Sequence, residues 1–363
     1  MFKPIFKITP NLLTYISSIE SAKAIINHSP LVPSWEARFK DEAMTRTIHF
    51  GTKIEGNDLT RDQASQVVKL SGVVDSKEVM RKTGIIARER DVQEVINYRN
   101  VMLWIDQQNV NYTSQLLSVN TLKTMHHLTL ANILDESKIG KIRTQQVVVR
   151  GADDGQIVFR PPIAIEVPFL IEEFFKWLNS EESVGIHPIL KAAIIHYRLV
   201  YIHPFIEGNG RTARAMATLY LYATDYNFKK FFSLEQYFDS DVNKYYQALL
   251  SVQQNQNFDL TYWLEYFCYG LAIEIGKVKE QVMKLSKDLK LKRELGAQVA
   301  LSERQIILLE LLQNQGEITS DDAQKILPQI SVDTILRDIK DLISKGVIKK
   351  HGVTKGVRYT LRD

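Results

Sequence analysis

The chain has a single cysteine, Cys268, among its 363 residues. No intramolecular disulfide can form, and a zinc site built on paired thiolates is excluded as well. Glycine and proline are sparse, at 17 and 10, which excludes a collagen-like or low-complexity chain. No run approaches the roughly 20 uninterrupted apolar residues of a membrane span, and the opening MFKPIFKITPNLL lacks the apolar core of a secretory signal. A cytoplasmic protein without a membrane partner is therefore expected. Charge of one sign is also lacking: 46 Lys+Arg against 42 Asp+Glu leave +4, too little to coat nucleic acid, so any basic patch must be local. What remains is 45% hydrophobic and 24% charged residues, the balance of a globular protein long enough for two or three folding units.

From Ser34 to about Leu130 the pattern is helical, with Val92, Val95, Ile96, Met102 and Leu103 set among Gln93, Glu94, Asn97 and Asp106. Two β-branched or aromatic runs, residues 147–149 and 157–159, surround a turn cluster at 150–155 and predict a β-hairpin closed by Pro161 and Pro162. The run 189–202 is apolar nearly all round, as suits a buried helix, and a second helix is expected over 211–226. Residues 273–294 are lysine-rich with apolar residues at helical intervals, which predicts a solvated connecting helix. The last stretch reads as helices over 303–313, 320–326 and 332–344 followed by strands 347–350 and 357–361, with Ser320 and Ser331 as N-caps and Gly346 as a stop. Three helices and a two-stranded wing are the winged-helix form of helix-turn-helix. The expected fold is mainly α.

Residues 203–214, HPFIEGNGRTAR, concentrate the chemistry. A helix ends at Ile202 and another starts near Gly210. Gly208 and Gly210 let backbone amides converge into an anion nest that the helix dipole reinforces. Arg211 and Arg214 in the first turn can reach phosphate oxygens. Glu207 is a hard oxygen ligand of the kind a phosphate-bound magnesium takes, and His203 is the group able to accept a proton near neutral pH. The competing reading is a solvated glycine-containing loop whose histidine caps the preceding helix.

These residues resemble the Fic (Fic/Doc) family signature HxFx(D/E)GNGRxxR, matched at His203, Phe205, Glu207, Gly208, Asn209, Gly210, Arg211 and Arg214. The likeness covers about the first 270 residues. It implies a Fic fold with an N-terminal helical region over 1–110, a catalytic core over 111–270, a connecting helix over 271–299 and the winged helix over 300–363. It implies transfer of AMP from Mg·ATP to a Ser, Thr or Tyr hydroxyl of a target protein. His203 would be the base and Glu207 the magnesium ligand. Gly208, Asn209, Gly210, Arg211, Thr212, Ala213 and Arg214 would bind the phosphates, and Phe205 would anchor the loop. Residues 138–162 resemble the family's flap, where a target would dock, and Tyr245 and Tyr246 fall where members place an adenine-pocket tyrosine.

Upstream, residues 52–57, TKIEGN, resemble the inhibitory motif (S/T)xxxE(G/N), with Glu55 expected to pair with Arg214. Gly51 stands where the pattern wants Ser or Thr. Otherwise Glu55-Gly56-Asn57 is a polar helix stop, and a water-activating role for Glu55 in removing AMP is a further option. His126, His127, His187 and His196 read as structural rather than metal-binding. In the last segment Arg337, Lys340, Lys345, Lys349, Lys350, Lys355, Arg358 and Arg362 are opposed by Asp338, Asp341 and Asp363, so DNA and protein docking stand equal. The competing function is a DNA-binding regulator with a nucleotide-sensing core, and transfer of UMP or phosphate is a third. Self-modification and a homodimer are open expectations.

Overall fold

Caps and prolines set many of the helix starts in the computed structural model. It describes residues 2–70, 72, 75–108, 116–150, 155–255, 257–294 (backbone only over 287–294), 301–352 and 357–362. Helix α1 (Pro10–His28) follows Thr9, whose hydroxyl accepts from the Leu12 amide. It is followed by α2 (Pro33–Lys53), α3 (Arg61–Lys69), α4 (Ser76–Thr83), α5 (Glu89–Gln107) and α6 (Val119–Leu130). A capping box between Thr60 and Gln63 starts α3, and Ser118 caps α6. After the hairpin β1 (Val149–Arg150) and β2 (Ile157–Phe159) come α7 (Val167–Leu178), α8 (Glu181–Val184), α9 (Pro188–Ile202), α10 (Asn209–Ala223), α11 (Leu234–Ser240), α12 (Val242–Gln254) and α13 (Thr261–Glu294).

The chain forms two units, Met1–Lys284 and Leu285–Asp363. In the first, α9 and α10 pack most extensively on each other, and α5 and α6 close over α10. Ile189, Ala193, Ile195, Leu199 and Ile202 of α9 are buried, as its nearly continuous apolar sequence requires. The loop joining α9 to α10 therefore leaves the centre of the unit on two rigid elements. Helix α13 runs unbroken through residue 270, with Trp263, Phe267, Cys268, Leu271 and Ile275 buried.

The hairpin differs from its expected bounds. Its first strand begins at Val149, and it pairs Val149 with Phe159 and Arg150 with Ile157 through an irregular register. Just upstream the Gln146 side chain bridges to the carbonyls of Val147 and Pro161, a side-chain link where a ladder was expected. The hairpin turn at 151–154 lies outside the described residues.

The second unit contains α14 (Glu303–Gln315), β3 (Glu317–Ile318), α15 (Ser320–Ile326), α16 (Val332–Ser344), β4 (Ile348–His351) and β5 (Arg358–Leu361). Its antiparallel sheet has the order β3-β5-β4, one strand more than the sequence pattern suggested, because a two-residue strand has no readable period. Leu308, Leu312, Ile335, Ile339, Leu342 and Ile348 form its core. Thr319 rather than Ser320 caps α15, because the Thr319 hydroxyl accepts from the Asp322 amide. Lys355 and Asp363 lie outside the described residues. Among the described residues no helix is long and apolar enough to cross a membrane.

Candidate active site

His203 closes α9 in a left-handed conformation, φ 52°. Its Nδ1 lies 3.2 Å from the Val200 carbonyl. A carbonyl can only accept, so Nδ1 carries the proton and Nε2 keeps the lone pair. Burial lowers the pKa of the ring, partly opposed by the Val200 hydrogen bond. Arg143, which no sequence motif singled out, fixes the backbone here. This buried arginine donates from Nε to the His203 carbonyl at 2.7 Å and from its terminal nitrogens to Gln145, Pro162 and Ile202 carbonyls. One cation thus laces both ends of the hairpin segment to the loop. A single arginine in the mixed stretch Lys141-Ile142-Arg143-Thr144-Gln145 carries no periodic signal, so sequence reasoning missed it.

Asn209 corrects an expectation. Its Oδ1 accepts from the Phe205 amide and its Nδ2 donates to the Phe205 carbonyl, both at 2.9 Å. The side chain clasps the loop instead of reaching outward to phosphate. Phe205 is fully buried and stacks on His126, ring centroids 3.7 Å apart. His126 accepts from the Gly140 amide at Nδ1, which leaves its Nε2 proton to donate to the Glu207 carbonyl at 3.0 Å. Burial, with Arg211 and His127 nearby, lowers its pKa to about 3, so the ring is neutral. Gly208 has φ 74° and faces Leu130 closely, so a side chain there would be strained and would crowd Leu130. Asn209→Ala should leave the Phe205 amide and carbonyl unpaired inside the protein. The expected destabilisation is about 2–4 kcal/mol, to be read by calorimetry.

Arg214, in the first turns of α10, donates from Nη2 to Glu55 at 2.9 Å and to the Gly51 carbonyl at 2.8 Å. Desolvation pushes the Glu55 carboxyl upward, but Arg214 and Arg211 outweigh it and its pKa is lowered. The pair is therefore intact through the neutral range and fails only as pH falls through that lowered pKa. The carboxylate lies against the start of α10, where a Cβ on Gly210 would collide with Glu55 Oε1. Gly51 has a physical explanation too. Its missing side chain leaves room for the buried Tyr98 ring, and an added Cβ would come within 2.4 Å of Tyr98 Cε1. Tyr98 cannot give way, because its hydroxyl is bound to buried Glu235 at 3.1 Å. Gly51→Ser would match the motif pattern, yet it is expected to cost about 1–3 kcal/mol and to loosen Glu55, measurable as a lower melting temperature.

Arg211 is buried and pairs with Glu94 at 3.3 Å, while its Nε has no hydrogen-bond partner among the described residues. Glu94 also accepts from Asn57 at 3.0 Å and from Arg90 at 3.2 Å. Glu207 is one-third exposed and contacts Arg90. The structure thus brings His203, Glu207, Arg211, Arg214 and Glu55 to one loop. Other expected contacts fall elsewhere. The Thr212 hydroxyl donates to the Gly208 carbonyl, and Ala213 is wholly buried. Tyr245 lies in the core with its hydroxyl 3.1 Å from His196 Nε2. Tyr246 is the exposed one, its hydroxyl donating to the Ile54 carbonyl at 3.4 Å.

Residues 116–221 match the model of the Fic/DOC family. The protein adenylyltransferase Fic of Drosophila yakuba is 32% identical over 189 residues, 52% of this chain and 34% of that protein. That of Drosophila willistoni is 28% identical over 212 residues, 58% and 38% of the two chains. The chain spans a little over a third of the length of these curated relatives. A Fic family protein from Desulfovibrio desulfuricans shares the fold over 99% of this chain and 98% of its own, with TM-score 0.65 and 22% identity. Fic-1 from C. elegans shares it over 76% and 73%, with TM-score 0.55 and 24% identity. Residues 116–221, which include the signature loop, are the stretch that matches the Fic/DOC family as a domain, and the likeness to the solved structures shows the fold.

Proposed function

We propose that the protein is a self-inhibited adenylyltransferase that moves AMP from ATP to a hydroxyl of a target protein. The observation that carries this reading is the seat of Glu55. An oxyanion already rests at the start of α10 on Arg214, beside a histidine with one nitrogen ready to take a proton. A site that holds a carboxylate there is built for phosphate oxygens. The unpartnered Nε of buried Arg211 fits the same class of ligand.

In the transfer step the target hydroxyl oxygen bonds to the α-phosphorus. The bond from that phosphorus to the bridging oxygen breaks, pyrophosphate leaves, and His203 Nε2 takes the hydroxyl proton. Arg211 and Arg214 hold the departing phosphates, and the Asn209 clasp with the His126 prop keeps the loop in register for in-line attack. Glu207 suits a magnesium that is otherwise held by phosphate oxygens and water, since a single carboxylate is what such a site requires. When bound, that ion would neutralise phosphate charge. With Glu55 on Arg214, the terminal phosphate has no seat and ATP is held out of line. A target segment would pair with the hairpin edge by main-chain hydrogen bonds.

The division into N-terminal inhibitory helices, catalytic core, connecting helix and winged helix belongs to the same proposal. In the C-terminal unit, Arg304 pairs with Asp338, Lys345 with Asp341 and Arg358 with Glu317. Arg337, Lys340 and Lys350 are exposed. Two of the eight basic residues of that patch, Lys345 and Arg358, are thus paired within their own unit, and it is the chemistry of the loop at 203–214, not this surface, that favours the enzyme over the DNA-binding regulator. The test incubates the Glu55→Gly protein in lysate with ATP labelled at the α or the γ position and with α-labelled UTP. Label passing to protein from α-ATP alone is expected. Transfer from γ-ATP or from UTP instead, or none at all, would overturn the reading.

A further inference from the structure

Glu207 is the only acid in the loop of residues 203–214, and in this structure an arginine holds it. Arg90, in the first turn of α5, reaches across with Nη2 to Glu207 Oε1. The arginine is aimed. Its Nε donates to Glu94 at 3.2 Å, and Glu94 is a 6% exposed carboxylate pinned in turn by Asn57 and Arg211. Glu207 is held from behind by the His126 hydrogen bond to its carbonyl. A fixed guanidinium therefore meets a carboxylate on a fixed backbone.

We propose that Arg90 gates metal loading: it competes with the divalent cation for Glu207 and must be displaced before that carboxylate can ligate. The inference rests on the proposed adenylyl transfer and adds a second control to it. A guanidinium and a magnesium ion seek the same carboxylate oxygens. The contact is half exposed on the arginine side and one-third exposed on the glutamate side, so solvent screens it and the competition is reversible. It sets a threshold in magnesium concentration. Arg90–Glu207 shares neither partner with Glu55–Arg214, so removing Glu55 leaves this gate closed.

The experiment uses the full chain carrying Glu55→Gly and measures ATP affinity by calorimetry across a magnesium series. Arg90→Ala added to that background should lower the magnesium concentration at half-effect by about three- to fivefold, as expected for an exposed pair. Arg90→Gln, which keeps the volume but not the charge, should do the same. With Glu207→Gln also present, Arg90→Ala should have no further effect. An unchanged midpoint would overturn the gate. So would weaker ATP affinity at every magnesium concentration, which would make Arg90 a nucleotide contact. If Glu55→Gly alone binds no ATP at any magnesium concentration, the adenylyl-transfer reading fails and takes the gate with it.

Discussion

Replacing Glu55 by glycine is expected to raise AMP transfer about ten- to a hundredfold, because a charge-assisted hydrogen bond of about 1.5–3 kcal/mol no longer holds Arg214 away from substrate. The substitution removes one partner only. Arg214 keeps the Gly51 carbonyl at 2.8 Å, so its guanidinium stays in position and becomes free to receive phosphate. Residue 55 follows the C-terminal end of α2, where glycine is tolerated without loss of helix. Labelling of lysate proteins with α-labelled ATP measures the change, and equal labelling by parent and variant would refute the brake. Acidification is a poor substitute for the mutation. Since the arginines hold the Glu55 carboxyl below its ordinary range, mild acid leaves the pair charged and the brake on.

His203→Ala in the Glu55→Gly background should cost about 10²–10⁴ in rate, the usual contribution of a positioned general base. ATP affinity should change little, since the imidazole acts on the acceptor hydroxyl rather than on the phosphates. That split between turnover and nucleotide binding separates a catalytic base from a loop prop, which would lose both. The pH profile gives a second reading. Burial holds the His203 pKa below the ordinary histidine value of 6.5, so the neutral ring already dominates at pH 7. Activity should be flat around neutrality and fall on the acid side, below the usual histidine range. The same shift makes the folded state bind the proton more weakly than the unfolded chain, so it takes stability away as pH drops below 6.5. A rate still rising steeply above pH 7 would argue against His203 as the base.

Much of this site could be read in the chain because its chemistry is local. His203, Glu207, Arg211 and Arg214 lie within one loop and one helical turn, so their spacing alone places them together. Helix α9 was equally legible, since a helix buried on all sides needs apolar residues on all sides. What stayed hidden depends on tertiary neighbours. Nothing in the sequence distinguishes the arms of Asn209 folding back on Phe205 from arms reaching outward. The partners of Arg143 are backbone carbonyls, which no side-chain pattern encodes, and Glu94 becomes the anchor of Arg211 only when α5 packs against α10. Gly51 looked like a defect in a motif. The structure turns it into a space requirement set by Tyr98, a residue 47 positions away in the chain.

The position of Glu55 against Gly210 also bears on how mutations can escape control. On the proposed reading, the lock and the substrate seat share the same guanidinium and the same glycine wall. Loss of Arg214 frees the lock but destroys the seat, and any side chain at 210 expels Glu55 while filling the space a phosphate would need. Of the three positions, only the carboxylate can be lost with a gain of activity. Among variants at these three positions, hyperactive alleles should therefore gather at residue 55, while changes at 210 and 214 should be silent losses.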